Sequence, residues 1–177
     1  MDVDPIRCRL ELTSQGKILK DIINELRNMI YNLRPMSFDD IGFNITVERA
    51  LDKLRNSNNI RCNFKTSGDE YMVDSLVSLT LLRVIQEACS NSIKHGHAKE
   101  INVSLNYEPK SLTLTIKDDG DGFDTSAIPE FTRDDNSGFG LSMMKERIYL
   151  LSGKISILSK PGEGCTVRVI IPVNKED

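Results

Sequence analysis

The sequence predicts an α/β (α+β) two-layer sandwich, with a mixed β-sheet of about five strands and helices on one face. Three observations lead there. Helical and alternating apolar patterns interleave in the order helix, helix, strand, helix, strand, strand, loop, helix, strand, strand. Four of those strands arrive as two hairpins beside helices, which favours one layer of sheet against one layer of helix. The chain has 177 residues, 39% hydrophobic and 28% charged, enough for one buried core plus a short appendage.

The first element is a helix. Asp4-Pro5 suits an N-cap and first helical position, and Ile18, Ile22, Leu26, Met29/Ile30 and Leu33 recur at steps of three and four until Pro35 stops the run. No helix follows it closely, so its stripe packs either on the rest of the chain or on a second copy as a dimerisation seam. After the linker MSFDDIGF comes a second helix over about residues 46–56, with Asn44 as its expected cap. Ile60, Cys62 and Phe64 then alternate with polar residues as a strand, ending in a turn at Ser67-Gly68. A long, mostly apolar third helix covers about residues 74–94 and stops at Gly96. Ile101 to Tyr107 and Leu112 to Asp118 alternate as a hairpin about Glu108-Pro109-Lys110. From Gly120 to Gly140 the chain is polar, Gly-rich and aperiodic for about twenty residues, too long for an incidental loop and so either functional or disordered. A fourth helix follows over about residues 142–151. Strands at 154–159 and 166–172, joined by Pro161-Gly162-Glu163-Gly164, close the chain.

Composition excludes several functions. A net charge of −3 argues against duplex nucleic acid as a partner. No apolar run approaches the ~18 residues that span a bilayer. The opening MDVDPIRCRLEL is no signal peptide. The expectation is therefore a cytoplasmic segment with no membrane contact. Cys8, Cys62, Cys89 and Cys165 form no CxxC pair, so no zinc site or disulfide framework is legible.

Three clusters carry chemistry. Glu87, Asn91, Lys94 and His95 share one face near the end of the third helix. That stripe is either a solvated edge or a metal–phosphate site. In the second reading the amide oxygen of Asn91 suits a hard cation such as Mg²⁺, Lys94 and His95 meet phosphate oxygens, and Glu87 orients a metal-bound water. Asp118 shares its strand face with Leu112, Leu114 and Ile116, so it points inward, where a carboxylate needs a donor. If the protein leaves none there, a ligand amine would serve. Asp119-Gly120-Asp121-Gly122-Phe123 follows, either a plain acidic turn or a backbone that approaches a ligand closely. Gly138-Phe139-Gly140-Leu141 opens the fourth helix, where free N–H groups attract anions. It is neither a dinucleotide fingerprint nor a P-loop. Together the clusters describe a nucleotide site with a flexible lid between its glycines.

With these motifs in order, the stretch from about Val73 to Val173 resembles the catalytic ATP-binding domain of bacterial two-component sensor histidine kinases, in the gyrase/Hsp90/histidine-kinase/MutL superfamily. Glu87 to His95 resembles the family's N box, Asp118 to Phe123 its G1 box and Gly138 to Leu141 its G2 box. Gly140 to Arg147, the ending Ser159 to Gly164 and the segment from Leu33 to Gly42 are similar to the nitrate-sensor and desaturase-regulator subfamily.

The resemblance implies a Bergerat fold in which Asn91 holds Mg²⁺ on the ATP phosphates. Lys94 and His95 face phosphate, and Asp118 accepts from the adenine amine. Gly120, Gly122, Gly138 and Gly140 shape the lid, Leu141 joins the ATP site, and Glu87 is the N-box acid. It divides the chain into a second dimerisation helix (1–35), a linker (36–44) and the ATP-binding domain (45–177). It implies ATP and Mg²⁺ as cofactors and a γ-phosphoryl transfer to histidine. The implied partners are the kinase's own phosphoacceptor-histidine helix, a response regulator and, in the full-length protein, a second copy as a homodimer. The alternatives on the same fold are an anti-sigma-factor-type serine kinase and a non-catalytic nucleotide-sensing module. Two departures stand out. Cys165 occupies the place of the usual Thr, and no histidine precedes the N box, so the phosphoacceptor helix is absent from this sequence.

Overall fold

The computed structural model describes residues 42–125 and 139–173. Their order is α1 (Phe43–Asn58), β1 (Arg61–Gly68), α2 (Ser75–Lys94), β2 (Glu100–Glu108), β3 (Ser111–Asp118), α3 (Phe139–Leu150), β4 (Lys154–Ser159) and β5 (Cys165–Pro172). The expected N-terminal helix, the linker up to Ile41, Gly138 and the centre of the expected lid lie outside the described residues.

The five strands form one mixed sheet in the order β1-β2-β3-β5-β4. β1 runs parallel to β2, and the other neighbours are antiparallel. A parallel pair needs a crossover, which α2 supplies. Register stacks the apolar residues in rows: Leu105 pairs with Leu114 and Leu114 with Val169, while Val103 pairs with Ile116 and Ile116 with Val167. All are buried, whereas Asn102, Ser104, Lys117 and Arg168 on the opposite face are exposed. One face of the sheet therefore carries the core and the other meets solvent, as alternation requires.

The helices close the apolar face. α1 buries Phe43, Val47 and Leu51 and packs on β1 and α2. α2 buries Leu81, Leu82, Val84, Ile85, Ala88 and Cys89. α3 contributes Met144 and Ile148 and packs on α2 and β4. Each such Val, Leu, Ile, Phe or Met side chain stabilises the fold by about 1.5–3 kcal/mol when fully buried. α2 starts where Asp74 caps it, the carboxylate accepting from the N–H groups of Leu76 (2.8 Å) and Val77 (3.3 Å).

Three boundaries differ from expectation. α1 begins at Phe43 behind Gly42, and Asn44 is not its cap, because the Asn44 side chain accepts a 2.7 Å hydrogen bond from the Tyr107 hydroxyl. β1 runs through Ser67 and Gly68 instead of turning there, because its pairing with β2 continues to Tyr107. Gly140 lies inside the first turn of α3 and not ahead of it.

Candidate functional site

Asp118, the last residue of β3, is buried as its strand phase demands. The protein itself supplies donors to it. Its Oδ2 accepts from the Ser92 hydroxyl at 2.6 Å, and its Oδ1 accepts from the backbone N–H groups of Gly120 (2.9 Å) and Cys165 (3.1 Å). An ionised carboxylate has about four acceptor sites, so these three bonds hold it in place and leave room for one more donor. The Ser92 hydroxyl has one proton and two acceptors within reach, Asp118 and the Ala88 carbonyl at 3.0 Å. The shorter, charge-assisted bond to Asp118 is the stronger.

The first residues of the loop after β3, 119–123, are tied down one after another. The Asp119 carboxylate accepts from the N–H groups of Lys99 and Glu100, both at 2.8 Å. The Glu100 bond is the main reason the Asp119 carboxyl titrates below the usual range. Next along the loop, Asp121 donates its N–H to the Gly96 carbonyl at 2.7 Å and accepts at its carbonyl from the Gly162 N–H at 2.6 Å. Beyond Gly122, Phe123 donates to the Ser159 hydroxyl, which itself donates to the Gly164 carbonyl at 2.7 Å. Gly164 has φ +72°, and a Cβ there would collide with the Asp118 carbonyl. The β4–β5 turn thus approaches Asp118 closely because residue 164 carries no side chain.

On α2, Glu87 and Asn91 are half-buried and Lys94 is exposed. The Asn91 Nδ2 donates to Glu87 Oε1 at 3.3 Å. That bond turns the amide oxygen away from the carboxylate, the orientation a cation requires. His95 is exposed and caps the C-terminus of α2. Its N–H and that of Gly96 both reach the Asn91 carbonyl, at 2.9 and 3.1 Å. Across the site, a Cβ on Gly140 would overlap the Glu87 carboxylate. α3 therefore starts directly against Glu87, and the N–H groups of Gly140 and Leu141 lie in a first turn that lacks intrahelical acceptors.

The structure brings Glu87, Asn91 and Gly140 into one cluster and Asp118, Gly120 and Ser92 into another. Asn91 and Ser92 are adjacent on α2, so the two clusters share a helix. Sequence reasoning missed Ser92 and the amide of Cys165; neither residue type announces a donor to a partner so far along the chain. The Cys165 side chain is half-buried, and burial, with Asp118 nearby, pushes its thiol up to about 11. Among the described residues no group of three or more His, Cys, Asp and Glu could hold a metal ion. Beside Glu87, the Asn91 amide oxygen is a donor that suits a hard cation. Also among the described residues, no helix is long and apolar enough to cross a membrane.

A family model described as histidine kinase-, DNA gyrase B-, and HSP90-like ATPase matches residues 77–175. The chain belongs to this family. Over 167 residues it is 33% identical to the signal transduction histidine-protein kinase/phosphatase DegS of Brevibacillus brevis, covering 94% of this chain and 42% of that protein. Over 176 residues it is 33% identical to a sensor-like histidine kinase of Chloroflexus aurantiacus, covering 98% of this chain and 29% of that protein. The chain thus spans less than half the length of either relative. In fold it is similar to the blue-light activated histidine kinase of Erythrobacter litoralis EL346. That match has a TM-score of 0.62 at 18% identity, over 92% of this chain and 51% of that one. The expected superfamily, the mixed five-stranded fold and the ATP-binding ATPase domain of histidine-kinase type are borne out.

Proposed function

We propose that this ATPase-family chain binds Mg²⁺-ATP and donates the γ-phosphoryl group to a histidine on a dimerisation helix, as the catalytic part of a two-component kinase. The observation that carries the reading is the paired arrangement on α2. Asn91, its amide oriented by Glu87, stands next to Ser92, whose hydroxyl orients Asp118. α2 therefore carries the cation-facing oxygen and, at the next residue, the hydroxyl that holds the base-facing carboxylate at the end of β3. Asp118 accepts from the adenine amine through its remaining acceptor site. Gly120 and Gly122 shape the loop beside the base. Asn91 presents its oxygen to the cation, and Lys94 and His95 offer charge and hydrogen bonds to phosphate. Gly138 belongs to the same lid, and the first-turn N–H groups of Gly140 and Leu141 face the anionic end. Held by Asn91, Mg²⁺ would supply neutralisation of the phosphate charge. The protein's own contribution is positioning, worth several kcal/mol in such transfers.

Residues 1–35 act as the second dimerisation helix, 36–44 as the linker and the remainder as the ATP-binding domain. The acceptor histidine comes from a helix outside this sequence, the working unit is a homodimer in the cytoplasm, and a response regulator takes the phosphoryl group onward. Incubating the full chain with labelled ATP, Mg²⁺ and a supplied phosphoacceptor segment tests this. The expected result is acid-labile label on the segment's histidine, none on the chain alone, and none with Asn91→Ala. Acid-stable label on serine would favour the serine-kinase alternative, and nucleotide binding without transfer would favour a sensing module.

A further inference from the structure

Asp121 bonds two separate segments, the turn Gly96-His97 and the turn at Gly162. Its backbone bonds Gly96 on one side and Gly162 on the other, and its carboxylate Oδ2 lies 2.7 Å from His97 Nδ1. His97 itself sits at φ 50°, the left-handed region that a non-glycine residue adopts only when its surroundings hold it there. The turn held in this way directly follows Lys94 and His95. The loop held by the other half of the pair carries Gly120, whose N–H fixes Asp118. The imidazole and carboxylate are 74% and 68% exposed, so an ion pair there adds little to global stability. The pair instead adds a side-chain bridge beside the 2.7 Å backbone bond from Asp121 to Gly96, between the same two turns.

We propose that His97 and Asp121 form a positioning pair that keeps the phosphate-facing end of α2 in register with the base-facing loop after β3, so that a ligand spanning both is bound more tightly than the base alone. The proposal rests on the nucleotide reading above and adds two residues to it. A competing account makes Asp121 a carboxylate that repels phosphate and His97 its electrostatic mask. The two accounts differ in sign: loss of register weakens ATP binding whichever partner is removed, whereas loss of a mask weakens it and loss of the repelling group strengthens it.

Calorimetric titration of the full chain with Mg²⁺-ATP and, separately, with adenosine distinguishes them. Under the proposal, His97→Ala, Asp121→Ala and the double variant each lose about 2- to 5-fold in ATP affinity. The double variant is no worse than either single one. Adenosine affinity stays unchanged throughout. His97→Asn returns toward wild type, because Asn tolerates the left-handed backbone and its amide donates to Asp121. Unchanged ATP affinity, equal losses for ATP and adenosine, or opposite signs for the two single variants each overturn the proposal. Wild type that binds neither ligand removes the nucleotide reading itself, and the proposal with it.

Discussion

Replacing Asp118 by Asn changes one atom and leaves the shape of the side chain intact. The structure dictates how the new amide sits. Two backbone N–H groups point at the Oδ1 position, from Gly120 and Cys165, so the amide oxygen must stay there. The NH₂ then falls where Oδ2 faced Ser92. Ser92 accepts from it and turns its own proton to the Ala88 carbonyl, already 3.0 Å away. Every interior donor still finds an acceptor, and the fold survives. The second N–H of the amide is left for the remaining position, which the proposed function gives to the base. An adenine amine meeting it would put donor against donor in a desolvated site, which costs about 1–3 kcal/mol, or roughly 5- to 150-fold in affinity. A guanine carbonyl at the same point gains a donor. Wild type should therefore prefer ATP over GTP, and Asp118→Asn should lower that preference by about tenfold or more. Competition binding of both nucleotides to both proteins measures the ratio, and a urea melt confirms that the variant is folded. An unchanged ratio in a folded variant, or wild type that binds GTP as tightly as ATP, would refute the reasoning.

Gly164→Ala forces a Cβ against the Asp118 carbonyl at a positive φ, so urea unfolding should show a loss of about 1–3 kcal/mol; an unshifted midpoint would contradict the close approach. Burial pushes the Cys89 thiol up to about 12, and burial with Asp118 nearby pushes Cys165 up to about 11, so both stay protonated near neutral pH. Mass-resolved iodoacetamide labelling should be slow at both positions and fast in urea, and fast native labelling of Cys165 would count against its placement. The Asp119 carboxyl is held low by hydrogen bonds, first from Glu100 and then from Lys99. Its folded value lies below its unfolded one, so its contribution is present above the unfolded value of about 4 and is lost as pH falls through the folded value. Asp119→Asn should flatten that acid limb in urea melts taken below about pH 4, and superimposable limbs would exclude the effect.

Much of the fold was legible because burial leaves a period-two imprint on strands. Alternation through Leu112, Leu114 and Ile116 places Asp118 inward, and the structure keeps it there. What stayed hidden depends on partners distant in sequence. Asn44 looks like a helix cap until Tyr107, from the far end of β2, claims its side chain. Ser67-Gly68 looks like a turn until β2 extends the ladder past it. Ser92 looks like an ordinary small helix residue, and nothing local announces that its hydroxyl meets a carboxylate 26 positions on. The motif glycines were visible as types, but the reason for Gly140, the nearness of Glu87, exists only once α3 lies on α2.

The donors around Asp118 come from both directions along the chain, Ser92 before it and Cys165 47 positions after it. This has a consequence for the order of assembly during synthesis. When β3 leaves the ribosome, Ser92 and Gly120 are at hand or close behind, but the Cys165 amide has yet to be made. Until β5 pairs with β3, Asp118 would have to enter the interior short of a donor, a costly state for a carboxylate. The sheet therefore cannot settle around Asp118 in stages: its last strand to be translated completes both the central ladder and the carboxylate's shell. A nascent chain lacking β5 is thus expected to have neither a finished core nor a fully held Asp118 carboxylate, so the domain gains its stability and the order of that carboxylate in the same step.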